Sequence, residues 1–178
     1  MTTLIPRQPV PELEIDTLDE GVWQLAERNP EHFTLVVFYR GWHCPICGPY
    51  LRDLDRKLAE FSQRGVETIA ISNDDQTRAR TAKEQWKIEH LTLGYGLSIE
   101  QGRQWGLFVS SGIGKTSVGV EEPDRFFEPG LFLVRADGTL YFSTVQTMPF
   151  ARPSFAEILK ALDVIIPKNY PARGEVIA

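Results

Sequence analysis

The chain predicts an α/β fold, a central mixed sheet flanked by helices, and three observations carry that prediction. Two apolar, β-branched runs at 33–39 and 66–72 each lead into a helical stretch. Such strand–helix alternation builds parallel sheet. A later pair of apolar runs closes on Ala136-Asp137-Gly138, the chemistry of a tight hairpin turn, which adds antiparallel strands. At 178 residues the chain fits one domain, 1–178, with an extended arm at 1–12 and a polar tail at 167–178.

Pro6, Pro9 and Pro11 keep the opening arm out of a regular ladder. Residues 17–28 read as helical, because Thr17 and Glu20 make a capping box and Leu18, Val22, Leu25 and Ala26 share a face. Phe-Thr-Leu-Val-Val-Phe-Tyr at 33–39 is apolar on both faces, the mark of a central, doubly covered strand. From Pro45 onward Leu51, Leu54, Leu58 and Phe61 follow helical spacing until Arg64-Gly65 stops them. The second buried strand, 66–72, runs into Asn73, Asp74 and Asp75, cap chemistry for a helix ending near Trp86. Leu91 to Leu93 suits a short strand, and Ser98 with Gln101 caps a further helical segment. Residues 108–124 have no period and read as a loop or irregular hairpin. The hairpin at 130–144 follows. Ser154 and Glu157 then form a capping box ahead of a helix whose Phe155, Ile158, Leu159, Leu162 and Ile166 face one way.

Composition narrows the function. The chain is 42% hydrophobic and 24% charged, which argues against disorder, and its net charge is −5. That balance makes nucleic acid and anionic membranes poor partners. The longest apolar run, Leu35 to Tyr39, is too short to span a bilayer. Met1-Thr2-Thr3 lacks the basic start of a secretory signal, so a cytoplasmic location is expected.

The two cysteines, Cys44 and Cys47, form a single Cys-Pro-Ile-Cys. In a reducing compartment such a pair has a redox or metal role more often than a structural one. A structural zinc needs four ligands, and His32, His43 and His90 lack paired spacing, so no metal is expected. Gly114-Lys115-Thr116 lacks the glycine a phosphate loop requires, and no flavin or nucleotide is implied either.

Cys44 stands between a buried strand and a helix, with Pro45 at the first helical position. That makes Cys44 the expected N-cap, where backbone N–H groups and the helix dipole favour the thiolate. Cys47 lies one turn on, placed to attack a mixed disulfide formed on Cys44. His43 lowers the Cys44 pKa only if protonated and facing it, and a surface position is the plainer reading. Arg40 either favours the thiolate or is solvated at the strand end. Trp42 shields the sulfur, offers a docking surface, or is a core aromatic.

Phe38-Tyr39-Arg40-Gly41-Trp42-His43-Cys44-Pro45-Ile46-Cys47 resembles the active-site stretch of peroxiredoxin-like proteins of the alkyl hydroperoxide reductase/thiol-specific antioxidant (AhpC/TSA) family. The resemblance extends through 66–74 and 130–162, most of the chain. It implies a thioredoxin-like fold of peroxiredoxin type, with Cys44 as the reactive cysteine. Arg152, in Phe150-Ala151-Arg152-Pro153, matches one of the family's arginines.

The departures also carry information. Val37 stands where the family has a proline, and Gly41 where it has Thr or Ser. Pro129 occupies the place of an arginine that holds peroxide and thiolate. Losing these groups removes donors that stabilise O–O cleavage. Glu128-Pro129-Gly130-Leu131-Phe132-Leu133 is instead similar to the thioredoxin arrangement, in which a cis-proline packs against the Cys-x-x-Cys. The resemblance therefore implies a cis Pro129, a lip for an extended substrate backbone.

On these readings the leading function is thiol–disulfide exchange, with Cys44 as nucleophile and Cys47 as resolving thiol. Thioredoxin, a glutaredoxin-like donor or glutathione would supply electrons. Reduction of hydrogen peroxide or alkyl hydroperoxides through a Cys44 sulfenic acid is the second reading; it needs Arg40 or Arg152 to replace the missing donor. A non-catalytic redox sensor or binding module is the third. The resemblance also points to a homodimer.

Overall fold

The computed structural model describes residues 3–19 and 21–177. Nine strands and four helices follow in order: β1 (Glu14–Thr17), β2 (Gly21–Gln24), β3 (Phe33–Phe38), α1 (Cys47–Ser62), β4 (Val66–Ile71), α2 (Gln76–Trp86), β5 (Thr92–Tyr95), α3 (Ile99–Gln104), β6 (Val109–Ser111), β7 (Arg125–Phe127), β8 (Gly130–Arg135), β9 (Leu140–Val145) and α4 (Phe155–Ile165). Seven strands form one mixed sheet in the order β2-β1-β5-β4-β3-β8-β9, while β6 and β7 pair separately. Strands β3, β4 and β5 run parallel. β8 joins β3 antiparallel, and β9 continues the hairpin through the Asp-Gly turn.

Every residue of β3 is buried, as a strand covered on both faces must be. Its alternation divides the core. Leu35, Val37 and Tyr39 pack with Leu51, Leu54 and Phe61 of α1 and with Phe155 and Leu162 of α4. Val36 and Phe38 face the other way, onto Trp105, Phe127 and Phe132. Truncating a sealed residue such as Leu54, 0% exposed, to alanine costs about 2–5 kcal/mol, because the transfer and cavity terms add.

The segment 17–28 is not a helix. It forms β1, a turn, β2 and a short 3-10 turn at Leu25–Glu27. Ile15, Thr17, Trp23 and Leu25 are buried, whereas Val22 of the expected helical stripe is 56% exposed. The burial therefore has period two, because β1 docks on the edge of β5. Gly21, at φ 74°, makes the turn, and the Thr17 hydroxyl donates to its carbonyl (2.7 Å). Glu20, the other half of the expected capping box, lies outside the described residues.

Helix boundaries differ in two more places. α1 begins at Cys47, with Ile46 and not Cys44 at its N-cap. Pro49 has no N–H to return to the Pro45 carbonyl, so the regular ladder starts with Tyr50 donating to Ile46 (3.3 Å). At α4, Ser154 takes the N-cap position without a side-chain bond. Its backbone carbonyl accepts the Glu157 N–H instead, so that capping box does not form. The Asp75 side chain does cap α2, accepting the Arg78 N–H, and the Ser98–Gln101 capping box forms.

Both chain ends pack onto the fold. The Arg7 N–H donates to Leu140 and the Leu140 N–H to Gln8, bringing the arm alongside the β8–β9 turn. Ala172 of the tail is buried, and its carbonyl accepts from the Arg7 guanidinium (2.8 Å). The functional end of the sheet is the carboxyl end of β3. There Phe38 pairs with Ile71 on one side and with Gly130 on the other.

Candidate active site

The chain leaves β3 at Tyr39 and must turn sharply to begin α1. Gly41 makes that turn at φ 126°, a conformation side chains rarely adopt. A β-carbon there would lie 2.8 Å from the carboxylate oxygens of Asp74, just past β4. Asp74 is buried. Its carboxylate accepts the Trp42 N–H (2.7 Å) and the Arg78 Nε–H (3.0 Å). Burial raises the Asp74 pKa, and these two donors oppose the rise. The loop is thus held by a carboxylate with its own counterion.

Beyond this anchor the Cys44 N–H donates to Gly41 and the Cys47 N–H to Cys44, so both sulfurs sit at the start of α1. Both cysteines are free and fully buried. The guanidinium of Arg152 reaches in from the loop after β9. Its Nη2 lies 3.2 Å from Cys47 Sγ and 3.6 Å from Cys44 Sγ. Pro149 fixes the other edge of that group by accepting its Nε–H (2.8 Å), and the Tyr50 ring lies beneath it, 5.0 Å away. Tyr50 in turn donates its hydroxyl to the Pro153 carbonyl, which ties this loop to α1.

The two thiols are driven apart. A hydrogen bond from the Cys47 thiol brings the Cys44 pKa down to about 6, against burial and with help from Arg152 and the Ile46 N–H. Burial, reinforced by the neighbouring Cys44, pushes Cys47 well above the usual thiol range. Arg152 lies nearer the sulfur that keeps its proton. The ordering nevertheless holds, because Cys44 alone receives both the Cys47 S–H and a backbone amide. At neutral pH Cys44 is a thiolate and Cys47 a thiol.

Cys44 forms part of the wall of a cleft of about 320 Å³, together with Trp42, Trp86, Val118 and Val120. Cys44 itself is 0% exposed. A concavity of about 500 Å³ lies at the other end of β3 between the arm and the β8–β9 turn, with no cysteine in its lining. Among the described residues no group of three or more His, Cys, Asp or Glu side chains is placed to hold a metal ion.

The other expected residues fall in different places. Trp42 lines the cleft, half-buried, with its indole N–H on Gln85 (2.9 Å). His43 is not a surface residue: it is 0% exposed, its ring packs on Phe126, and neither ring nitrogen has a partner. Burial, with Arg40 and Arg78 near, lowers its pKa to about 3, so it stays neutral and supplies no positive charge to the thiolate. Arg40 is not solvated either. It lies over the Phe126 ring, with ion-pair contacts to Glu128 (3.4 Å) and Glu122 (3.5 Å).

Pro129 is buried at the start of β8, and the structure corrects its expected geometry. No peptide bond among the described residues is cis. The chain runs extended from β7 through Glu128 and Pro129 into β8. The Glu128 N–H, which a substrate-binding lip would offer, is taken by the Phe108 carbonyl (2.9 Å). Asp74 and Tyr50 were missed as site residues. Tyr50 follows Cys47 by three positions, the helical spacing that puts it on the same face. Asp74 reads in the sequence only as cap chemistry, since its partner Trp42 follows the neighbouring strand, 32 positions away.

A model of the AhpC/TSA family matches residues 6–143. The chain belongs to this family. The structure is similar to peroxiredoxin 6 of Arenicola marina (17% identity, TM-score 0.74, covering 94% of this chain and 76% of that one). It also resembles peroxidoxin BcpB of Mycobacterium tuberculosis (15%, TM-score 0.70, 92% and 99%). A third match is the mitochondrial 2-Cys peroxiredoxin of Plasmodium falciparum (17%, TM-score 0.74, 98% and 100%). A search of curated proteins returns no significant match. This AhpC/TSA chain therefore has the peroxiredoxin-type thioredoxin fold, and its family is one of thiol-dependent oxidoreductases. Among the described residues no helix is long and apolar enough to cross a membrane.

Proposed function

We propose that this AhpC/TSA chain acts as one unit that reduces peroxides, with Cys44 as the peroxidatic nucleophile and Cys47 as the resolving thiol. The observation that carries this reading is the Arg152 guanidinium within reach of both sulfurs. A fixed cation at the thiolate stabilises the charge that develops on the departing oxygen, the task of the donors missing at Gly41 and Pro129. Thiol–disulfide exchange has less support, since Pro129 is trans and the Glu128 N–H is already bonded to the Phe108 carbonyl.

The Cys44 thiolate attacks the terminal peroxide oxygen. The O–O bond breaks, and the leaving alkoxide or hydroxide takes a proton from water. The Cys47 thiol then attacks the resulting sulfenic sulfur; its proton leaves with the displaced hydroxide as water, and a Cys44–Cys47 disulfide remains. An external dithiol of thioredoxin type returns the pair to the reduced form by exchange.

The test is stopped-flow mixing of reduced protein with hydrogen peroxide, following tryptophan fluorescence and counting thiols after quenched alkylation. Cys44→Ser should show no fast phase. Cys47→Ser should stop after one turnover with a dimedone-reactive sulfenic acid. Oxidation of the wild type no faster than that of free cysteine thiolate would overturn the reading.

A further inference from the structure

The cleft beside Cys44 is larger and more apolar than hydrogen peroxide needs. Trp42, Pro45, Pro49, Trp86 and Val120 supply its walls, and no carboxylate lines it. One guanidinium does: Arg52, half-buried one turn into α1. The other arginines near the site are committed. Arg40 meets Glu122 and Glu128, Arg78 meets Asp74, and Arg152 meets the two sulfurs. Among the described residues no side chain or carbonyl forms a hydrogen bond or ion pair with the Arg52 side chain. Gln85 also lines the cleft, its Oε1 accepting from the Trp42 indole.

An apolar wall with a free cation at one side and a nucleophile at the other suits an amphiphilic anion. We propose that the cleft selects organic hydroperoxides bearing a carboxylate, and that Arg52 is the residue that recognises it. The proposal rests on the peroxidase reading above. The apolar chain lies along Trp42 and Trp86, the carboxylate meets Arg52 in a forked pair, and the peroxide reaches Cys44. The chemistry at sulfur is unchanged: the thiolate takes the terminal oxygen, and the remainder leaves as a hydroxy acid after protonation by water.

The experiment compares linoleic acid hydroperoxide with its methyl ester, measuring Cys44 oxidation by stopped flow in the wild type, Arg52→Gln and Arg52→Lys. A half-buried charge-assisted pair predicts that the wild type prefers the acid by about five- to tenfold. Arg52→Gln should bring the acid-to-ester ratio close to one, and Arg52→Lys should recover part of it. A wild-type ratio near one, or a ratio indifferent to Arg52→Gln, overturns the proposal. Linoleic acid itself, which has no O–O bond, separates the two claims through tryptophan quenching of the reduced protein. Binding weakened by Arg52→Gln, with no peroxide oxidising Cys44, keeps the site and removes the peroxidase reading. Equal binding by wild type and variant removes the site.

Discussion

Arg152 holds one guanidinium nitrogen 3.6 Å from the sulfur of Cys44, across 108 positions of sequence. The same nitrogen contacts Cys47, so one cation serves both sulfurs. Its position depends on Pro149 and Tyr50, which hold the guanidinium at its edge and its face.

Replacing Arg152 with methionine keeps the bulk and removes the charge. The rate of Cys44 oxidation by hydrogen peroxide should fall about a hundredfold, the usual consequence of losing one preorganised donor. Arg152→Lys should recover only part of it, because an ammonium lacks the second edge by which the guanidinium is held on the Pro149 carbonyl. A loss of less than twofold in stopped flow, with the thermal midpoint unchanged, counts against the assignment.

The ordering of the thiols predicts a pH profile. Alkylation of Cys44 by iodoacetamide should rise through a midpoint near pH 6 and level off above it, since only the thiolate reacts. The Cys47 thiol is the largest cause of that depression, so Cys47→Ala should move the midpoint upward. An unmoved midpoint would show that the Cys47 hydrogen bond does not set it.

His43 makes stability depend on acidity. Its pKa is about 3 in the fold and near the ordinary 6.5 in the unfolded chain. The unfolded state therefore binds the proton more readily, and the contribution present above pH 6.5 is lost as pH falls toward 3. His43→Leu removes the titration and two unpartnered buried nitrogens. It should raise the melting temperature more at pH 5 than at pH 7.5; an equal change at both would contradict the linkage.

Gly41→Ala tests the loop anchor. A methyl group at φ 126° and 2.8 Å from the Asp74 carboxylate requires the loop or Asp74 to move. Strain of this kind costs about 1–3 kcal/mol. Urea denaturation should show that loss, and peroxide oxidation of Cys44 should slow with it. A variant as stable as the wild type would mean that the turn relaxes freely.

Much of the frame was legible before the structure. The residues of β3 announce their burial on two faces, Asp137-Gly138 announces the hairpin, and the stripe of α1 is plain from Leu51, Leu54 and Phe61. Each of these signals is complete within a few residues of chain. The segment 17–28 failed because its helical spacing competed with a β-hairpin whose support, β5, lies far along the sequence. The cap at Cys44 failed for a smaller reason: Pro49 delays the ladder by withholding an N–H from the Pro45 carbonyl.

The sequence by itself determined the cysteine pair, its place between a buried strand and a helix, and the arginine that family resemblance marks at 152. Spacing suffices for these, since Cys44 and Cys47 are one turn apart whatever surrounds them. Only the tertiary structure decided that the Cys47 hydrogen bond is what chiefly lowers the Cys44 pKa, that His43 is sealed and neutral, that Arg40 is spent on Glu122 and Glu128, and that Pro129 is trans. Those outcomes depend on burial and on partners up to 108 positions away, and both exist only once the segments on either side of β7 and the loop after β9 have packed at the end of β3.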